Sequence, residues 1–196
     1  MGNKEGSCIE YTTIHDLQTQ RLLLRKLDMQ DVPNYFARLG SSPNITKNML
    51  FDPHKDILES KAAVQKALFR YEAGNYYRWG IALREDNSLI GIIELLRFDD
   101  TDNTCSFAYM LGEDFWNQGY GTEALKAAFR FAFTELKISA IQADHFSENP
   151  ASGAVMRKAG MRYLGTTPGK YEKHGIRHDA MEYRITKEEW DGKTRC

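Results

Sequence analysis

The sequence predicts a single α/β domain built on a mixed, mostly antiparallel sheet of about seven strands that is flanked by about four helices. Three strand-like runs, residues 78–84, 89–98 and 104–111, are separated by short segments rich in turn-forming residues. That spacing is typical of an antiparallel meander. After the meander, residues 124–136 repeat apolar side chains at helical spacing over a broad face. Such a face indicates a helix that packs on the sheet.

The remaining elements follow from capping residues and from alternating apolar residues. Asp31 can cap a helix that Pro33 opens. Asp56 and Glu59 form a capping pair for a second helix. Asn149 can cap a short helix that follows the helix at 124–136. The other strands are predicted at residues 21–27, 139–146, 161–165 and 179–185.

The chain of 196 residues has the length of one domain, and no linker, repeat or low-complexity segment divides it. We assign residues 19–191 to that domain. Residues 1–18 are polar and aperiodic, so they are predicted to be a flexible N-terminal tail, and residues 192–196 a C-terminal tail.

Composition excludes several classes of protein. The formal net charge of −1 lacks the basic excess that a general nucleic-acid binder or a membrane-surface protein needs. No stretch is apolar enough to span a bilayer, and residues 1–11 lack the apolar run of a secretory signal. The three cysteines, Cys8, Cys105 and Cys196, form no close pair and indicate free thiols in a reducing compartment. We therefore expect a cytoplasmic protein.

The segment with the clearest chemistry is residues 107–125, where a strand runs through a loop into the amphipathic helix. Gly119 and Gly121 lie at the junction of loop and helix, where glycine lets a ligand approach the backbone closely. The first N–H groups of a helix lack internal partners and carry the positive end of its dipole, so the junction suits a phosphate. A tight turn alone would also explain the two glycines. The absence of a Gly-Lys-Ser/Thr motif and of a third glycine excludes a P-loop and argues against a dinucleotide fold.

Four segments in a fixed order carry a family resemblance: residues 19–25, 116–124, 149–161 and 175–190. They resemble the opening strand, the pyrophosphate loop, the second cofactor motif and the closing strand of the GCN5-related N-acetyltransferase (GNAT) superfamily, especially its ribosomal-protein N-acetyltransferase-like (RimJ/RimL-like) branch. The resemblance implies a GNAT-like fold whose sheet splays between the strand ending near Leu111 and strand 139–146. It also implies transfer of an acetyl group from acetyl-CoA to a primary amine, by direct attack in a ternary complex.

The resemblance also implies a set of cofactor-binding residues. The backbone of Met110 and Leu111 is expected to pair with the pantetheine arm, and an N–H at Met110 to stabilise the oxyanion by ~3 kcal/mol. Asn149 is expected to contact the arm, although it could be an N-cap alone. The full set is Met110, Leu111, Trp116, Asn117, Gln118, Gly119, Tyr120, Gly121, Thr122, Asn149 and Ser152.

The chain departs from the family at the expected acid and base. Met156 occupies the place of a tyrosine that protonates the leaving thiolate in many members, and Ser152 or a water could replace it. Cys105 and Ser106 lie where many members carry a glutamate base. Glu94 is the first candidate for the base, and the candidates after it are Glu113, Glu148 and His145. Each of these could instead be a solvated or paired side chain.

Other residues carry weaker signals. His174 and His178 are four residues apart, but Gly175 between them argues against a helix, so no metal is expected. Cys105 is read as a small buried residue, because no neighbouring motif would lower its pKa. Trp79 and its neighbours at 76–78 fit a substrate groove or ordinary packing equally well.

Two function classes remain in competition. The first is an N-acetyltransferase whose acceptor is a protein N-terminal amine or a small-molecule amine. The second is an acyl-CoA-binding regulatory or structural module without turnover, which the missing tyrosine and glutamate favour. The expected partners are acetyl-CoA and the acceptor, with no nucleic acid or membrane, and both a homodimer and a monomer are compatible with the sequence.

Overall fold

Eight strands form one sheet in the computed structural model, which describes residues 9–72, 74 and 76–194. Their order across the sheet is β1-β2-β3-β4-β5-β6-β8-β7. Every neighbouring pair is antiparallel except β5 and β6, which are parallel. The strands are β1 Leu17–Gln18, β2 Leu22–Arg25, β3 Tyr77–Leu83, β4 Leu89–Asp99, β5 Thr104–Leu111, β6 Ala140–Phe146, β7 Arg162–Lys173 and β8 Ile176–Thr186.

Helices cover both faces of this sheet. The α-helices of the described chain are α1 Val32–Tyr35, α2 Pro43–Thr46, α3 Ile57–Glu72, α4 Tyr120–Thr134, α5 Pro150–Lys158 and α6 Lys187–Thr194. Helix α1 continues into a π-helical turn, Phe36–Gly40. Within the described ranges, none of the helices is both long and apolar enough to cross a membrane.

Capping explains where most of the helices begin. Asp56 accepts hydrogen bonds from the backbone N–H groups of Leu58 and Glu59, and Asn149 accepts one from that of Ser152, as predicted. Asp31 occupies the N-cap position of α1, as predicted, but its side chain makes no capping hydrogen bond there. Asp28 caps the 3₁₀ turn that precedes α1, while the buried Asp31 pairs with Arg25 at 2.8 Å.

Two hydrophobic clusters hold the layers together. The larger one lies between the sheet and α4, whose predicted apolar face is fully buried: Ala124, Leu125, Ala128, Phe129, Ala132 and Phe133. The smaller one packs α1 and α3 against the other face and includes Leu39, Val64 and Ile92. Trp79 and Tyr77 are fully buried, so packing rather than a substrate groove explains them.

The predicted fold class is confirmed, with corrections at the chain ends. Residues 9–18 are not a loose tail: Ile9, Ile14 and Leu17 are buried in the larger cluster, and β1 pairs with β2. Residues 1–8 of that predicted tail lie outside the described chain. Helix α6 continues through residue 192 to Thr194, where a C-terminal tail was predicted, and residues 195–196 also lie outside the described chain.

Candidate active site

A cleft of about 1050 Å³ opens where β5 and β6 diverge. The two strands pair only from Thr104 to Ser106 and from Ala140 to Gln142. Beyond that point their remaining residues face each other across the cleft, which confirms the predicted splay. The loop around residues 45–51, the N-terminus of α4 and the helix α5 complete its walls.

The junction of loop and helix at one end of the cleft has the backbone that an anion site needs. Gly119 is left-handed, with a φ of 84°, and α4 begins after it without a side-chain cap. Gly119, Gly121 and Thr122 line the cleft. A Cβ at Gly121 would meet Tyr109 and Val155 only at ordinary contact distances of 3.6 Å. Packing within the protein therefore does not require glycine at 121, whereas the close approach of a ligand would.

Arg21, the residue immediately before β2, holds this junction and was not predicted from the sequence. Its guanidinium donates to the carbonyl of Gln118 at 2.9 Å and to Glu123 at 2.8 Å, and it lies 4.2 Å from the ring centre of Tyr120. Burial tends to raise the pKa of Glu123, but hydrogen bonds from Thr19 and Arg21 outweigh burial and lower it. The carboxylate and the guanidinium therefore fix the first turn of α4.

Most of the predicted cofactor residues line the cleft. They are Met110, Leu111, Trp116, Asn117, Gly119, Gly121, Thr122, Asn149 and Ser152. Gln118 and Tyr120 do not line it, because the amide of Gln118 donates to the carbonyl of Asp114 and the ring of Tyr120 lies under Arg21. The indole of Trp116 donates to the carbonyl of Leu111 at 2.7 Å, so this side chain braces the end of β5.

Three side chains come together on the α5 side of the cleft. The capping Asn149 holds the first turn of α5, and Ser152 on that turn donates its hydroxyl to the phenol oxygen of Tyr109 at 3.2 Å. Tyr109 belongs to β5, 43 residues earlier in the chain. Burial raises the pKa of the Tyr109 phenol, against the opposing effect of the Ser152 hydrogen bond. Sequence reasoning missed Tyr109, because in the sequence it is one aromatic residue in an apolar strand.

The structure does not bring Glu94, the first candidate for the base, into the cleft. Its carboxylate pairs with Arg78 at 2.6 Å and with Arg70 at 3.7 Å. Glu113 is also outside, where hydrogen bonds from Ser42 and Asn44 lower its pKa. The ion pair and the hydrogen bonds therefore account for both carboxylates.

Glu148 and His145 do line the cleft. The carboxylate of Glu148 accepts hydrogen bonds from the backbone N–H of Glu148 and from His178. These bonds lower the pKa of Glu148, which makes it a weaker base. His145 is buried, bonds the carbonyl of Phe146 at 2.7 Å and stacks on Tyr183. Glu148 is therefore not a free base, whereas the buried Nε2 of His145 has no hydrogen-bond partner among the described residues.

A cluster of charged side chains lines the cleft beyond Gln142, where β6 has separated from β5, and it was not predicted from the sequence. Lys170 lies 2.7 Å from Asp144 and 2.9 Å from Glu182, and Tyr171 donates to Asp144 at 2.8 Å. Burial tends to lower the pKa of Lys170, but the two carboxylates raise it overall. These side chains come from β6, β7 and β8, so only the folded sheet brings them together.

The residues weighed for metal binding and for nucleophilic catalysis have other partners. His174 and Gly175 form the turn between β7 and β8, both with positive φ, and His174 pairs with Asp52 at 2.8 Å. Among the described residues, no group of three His, Cys, Asp or Glu side chains could hold a metal ion. Cys105 is 1% exposed, and burial raises the pKa of its thiol to about 12.

Comparison with known proteins adds sequence relatives. Residues 21–162 match the family described as the acetyltransferase (GNAT) domain. An uncharacterized N-acetyltransferase, p20 of Bacillus licheniformis, is 25% identical over 176 residues, covering 90% of this chain and 98% of that protein. The putative ribosomal N-acetyltransferase YdaF of Bacillus subtilis is 28% identical over 108 residues, 55% of this chain and 59% of YdaF.

A solved structure has the same fold. The spermidine N-acetyltransferase from Vibrio cholerae, crystallised with CoA and spermine, superposes with a TM-score of 0.74 at 19% identity. The match covers 88% of this chain and 99% of that one. Because the family model spans most of the sheet and both walls of the cleft, the chain belongs to the GNAT family of acetyltransferases and is an N-acetyltransferase.

Proposed function

We propose that this protein transfers an acetyl group from acetyl-CoA to a primary amine, by direct attack of the amine on the thioester in a ternary complex. The observation that carries the proposal is the cleft between β5 and β6, which joins an uncapped helix N-terminus to a charged pocket. The V. cholerae relative, which shares the fold, binds CoA and a polyamine. Both a protein N-terminal amine and a small-molecule amine fit this proposal.

The residues at the helix end of the cleft suit the phosphates and the arm of CoA. Backbone N–H groups of Gly119, Gly121 and Thr122, which line the cleft, would hold the pyrophosphate at the positive end of α4. The arm would add to the edge of β5 at Met110 and Leu111, where β6 has diverged. An N–H at Met110 would then stabilise the oxyanion, an interaction worth ~3 kcal/mol in comparable sites.

On the opposite wall, Asn149 and Ser152 would contact the arm near its sulfur. The amine must lose a proton when it attacks. His145 lines the cleft and its Nε2 has no hydrogen-bond partner among the described residues, so it replaces Glu94 as the candidate group for receiving that proton.

A charge placed in the loop tests the binding part of the proposal. Gly121→Asp adds a negative charge and a side chain at the helix end that is proposed to hold the pyrophosphate, so we expect the Kd for acetyl-CoA to rise at least tenfold, about 1.4 kcal/mol. Isothermal calorimetry measures it. Gly192→Asp places the same side chain in open space on α6 and is the matched control. Equal affinity in both variants would contradict the assigned phosphate site.

An acceptor screen tests catalysis and the competing function. The wild-type protein is incubated with acetyl-CoA and a panel of N-terminal peptides, polyamines and other small amines, and release of the CoA thiol is followed. We expect turnover with at least one class. Tight binding of acetyl-CoA without turnover for any amine would instead identify an acyl-CoA-binding module.

A further inference from the structure

The helix α5 does not provide an acid at its usual place. The thiolate that leaves acetyl-CoA is a base, and its protonation drives the collapse of the adduct forward. Met156 lines the cleft at the position of the expected tyrosine, is 2% exposed and has no proton to donate. A donor has to come from another element or from water.

Tyr109 reaches the same wall from the opposite strand. Its ring lies close to where α4 and α5 meet, since a Cβ at Gly121 of α4 would be 3.6 Å from both Tyr109 Cε2 and Val155 Cγ1 of α5. Its hydroxyl ends 3.2 Å from the hydroxyl of Ser152, and both residues line the cleft. Strand β5 thus carries a phenol to the helix that lacks one.

The direction of this hydrogen bond leaves the phenolic proton available. Ser152 is the donor and the Tyr109 oxygen is the acceptor, so the O–H of Tyr109 is not used in this contact. We propose that Tyr109 is the catalytic acid that protonates the sulfur of CoA, and that Ser152 is its positioning residue. This inference rests on the proposed acetyl-CoA site.

The proton balance of the step is closed. Attack forms the bond between the amine nitrogen and the carbonyl carbon, and the nitrogen loses one proton to the candidate base His145, which passes it on to water. When the C–S bond breaks, its electron pair stays on sulfur, and the phenol of Tyr109 gives its proton to that sulfur. The phenolate that remains accepts the hydrogen bond of Ser152 and regains a proton from water.

The burial of Tyr109 agrees with this role. Burial raises the pKa of the phenol, so the group stays protonated at neutral pH and is available as a donor. The hydrogen bond from Ser152 opposes that shift by favouring the phenolate. Stabilisation of the phenolate by Ser152 matters only if Tyr109 gives up its proton during the reaction.

Three variants test the assignment: Tyr109→Phe, Ser152→Ala and the double variant. Two reactions are measured at saturating acetyl-CoA: acetyl transfer to the best amine of the panel, and hydrolysis of acetyl-CoA, in which water is the acceptor. In both we expect Tyr109→Phe to lower kcat by about 30-fold or more and Ser152→Ala by about tenfold. The double variant should be no slower than Tyr109→Phe, because the two hydroxyls act as one unit. The calorimetric Kd for CoA should stay within about twofold in Tyr109→Phe, well under the 1.4 kcal/mol of a tenfold change.

A titration of the ligand-free protein gives a readout that a packing role would not change. The tyrosinate absorbance of the wild type minus that of Tyr109→Phe reports the phenol alone, and Ser152→Ala should raise its pKa further. A kcat for Tyr109→Phe within about threefold of the wild type, or losses that multiply in the double variant, would overturn the inference. Failure of the wild type to bind acetyl-CoA would instead overturn the proposed function.

Discussion

Gly153 lies on α5 where this helix packs tightly against His145 of β6 and Tyr183 of β8. A Cβ on Gly153 would be 2.6 Å from Nε2 of His145 and 2.8 Å from the hydroxyl of Tyr183. Real side chains do not approach so closely, and both neighbours are buried and stacked on each other. Because glycine has no side chain, α5 can pack this close to the sheet at Gly153. The close packing also sets the position of the neighbouring Ser152.

We predict that Gly153→Ala destabilises the protein by about 1–3 kcal/mol, the usual cost of overpacking. Chemical denaturation measures the free energy of unfolding. Gly192→Ala is the matched control, because nothing lies within 4 Å of its added Cβ on α6. There, the gain in helix propensity should stabilise slightly. Equal stability of the two variants would contradict the close packing of α5.

Cys105 lies in the core rather than in the cleft. The thiol is buried, and its pKa of about 12 leaves essentially no thiolate at neutral pH. We predict that Cys105→Ala keeps at least about a tenth of kcat with any working acceptor, because no step needs this sulfur. A steady-state kinetic assay checks it, and a loss of several orders of magnitude in a folded variant would refute it.

Among the elements, predictability followed length and periodicity. Helix α4 could be predicted from its repeated apolar face, and α5 from the cap at Asn149, because both signals are local. Strand β1 has two residues, and α2 has four, which are too short to give a pattern. Helix α6 has almost no apolar face, so its sequence gave no helical signal.

The candidate site was predictable only where its residues are close in sequence. The loop from Trp116 to Thr122 is one segment with a known motif, and it forms one wall of the cleft. The hydrogen bond between Tyr109 and Ser152 joins residues 43 positions apart in the chain. Glu94 on β4 forms an ion pair with Arg78 on the neighbouring strand β3, so it is not available as the base. Such contacts depend on the strand register, which a single sequence does not specify.

The contact between Arg21, just before β2, and the first turn of α4 gives a prediction for the loop as a unit. Arg21→Ala removes the bonds to Gln118 and Glu123, so the first turn of α4 loses the group that orients it. We expect the Kd for acetyl-CoA to rise about fivefold, about 1 kcal/mol, with kcat at saturation little changed. Calorimetry and steady-state kinetics separate the two effects.

Arg84→Ala is the control for this loop variant. Arg84 also lies beside the opening strand and bonds the carbonyl of Thr19 at 3.0 Å, but it does not bond Gln118 or Glu123. Its Kd should match that of the wild type. If both variants bind acetyl-CoA equally well, Arg21 has only a structural role.

At the scale of the molecule, one sheet separates two hydrophobic clusters and opens on one side. The divergence of β5 from β6 removes strand pairing where the cleft is needed, while the antiparallel pairs β4–β5 and β6–β8 continue on either side. The cleft is therefore held by strands that are fixed along their outer edges. It opens between two strands without unfolding either.

The segment before β1 closes the larger cluster and joins distant parts of the chain. Tyr77 exchanges two hydrogen bonds with the backbone of Thr12, at 2.8 and 3.0 Å, and the indole of Trp79 donates to the carbonyl of His15 at 2.8 Å. Ile14 lies between these contacts and is 8% exposed. Its side chain therefore packs on the core of the folded domain.

We predict that Ile14→Ala lowers the free energy of unfolding by about 3 kcal/mol, the cost of removing a buried isoleucine side chain. Ile176→Ala makes the same change at the tip of the β7–β8 hairpin, where the side chain is 62% exposed, and should cost less than about 0.5 kcal/mol. Urea denaturation of both variants measures the difference. If residues 9–18 were flexible, both variants would lose the same small amount of unfolding free energy. A large loss for Ile14→Ala alone, with an unchanged dependence of that free energy on urea concentration, means that residues 9–18 fold together with the sheet.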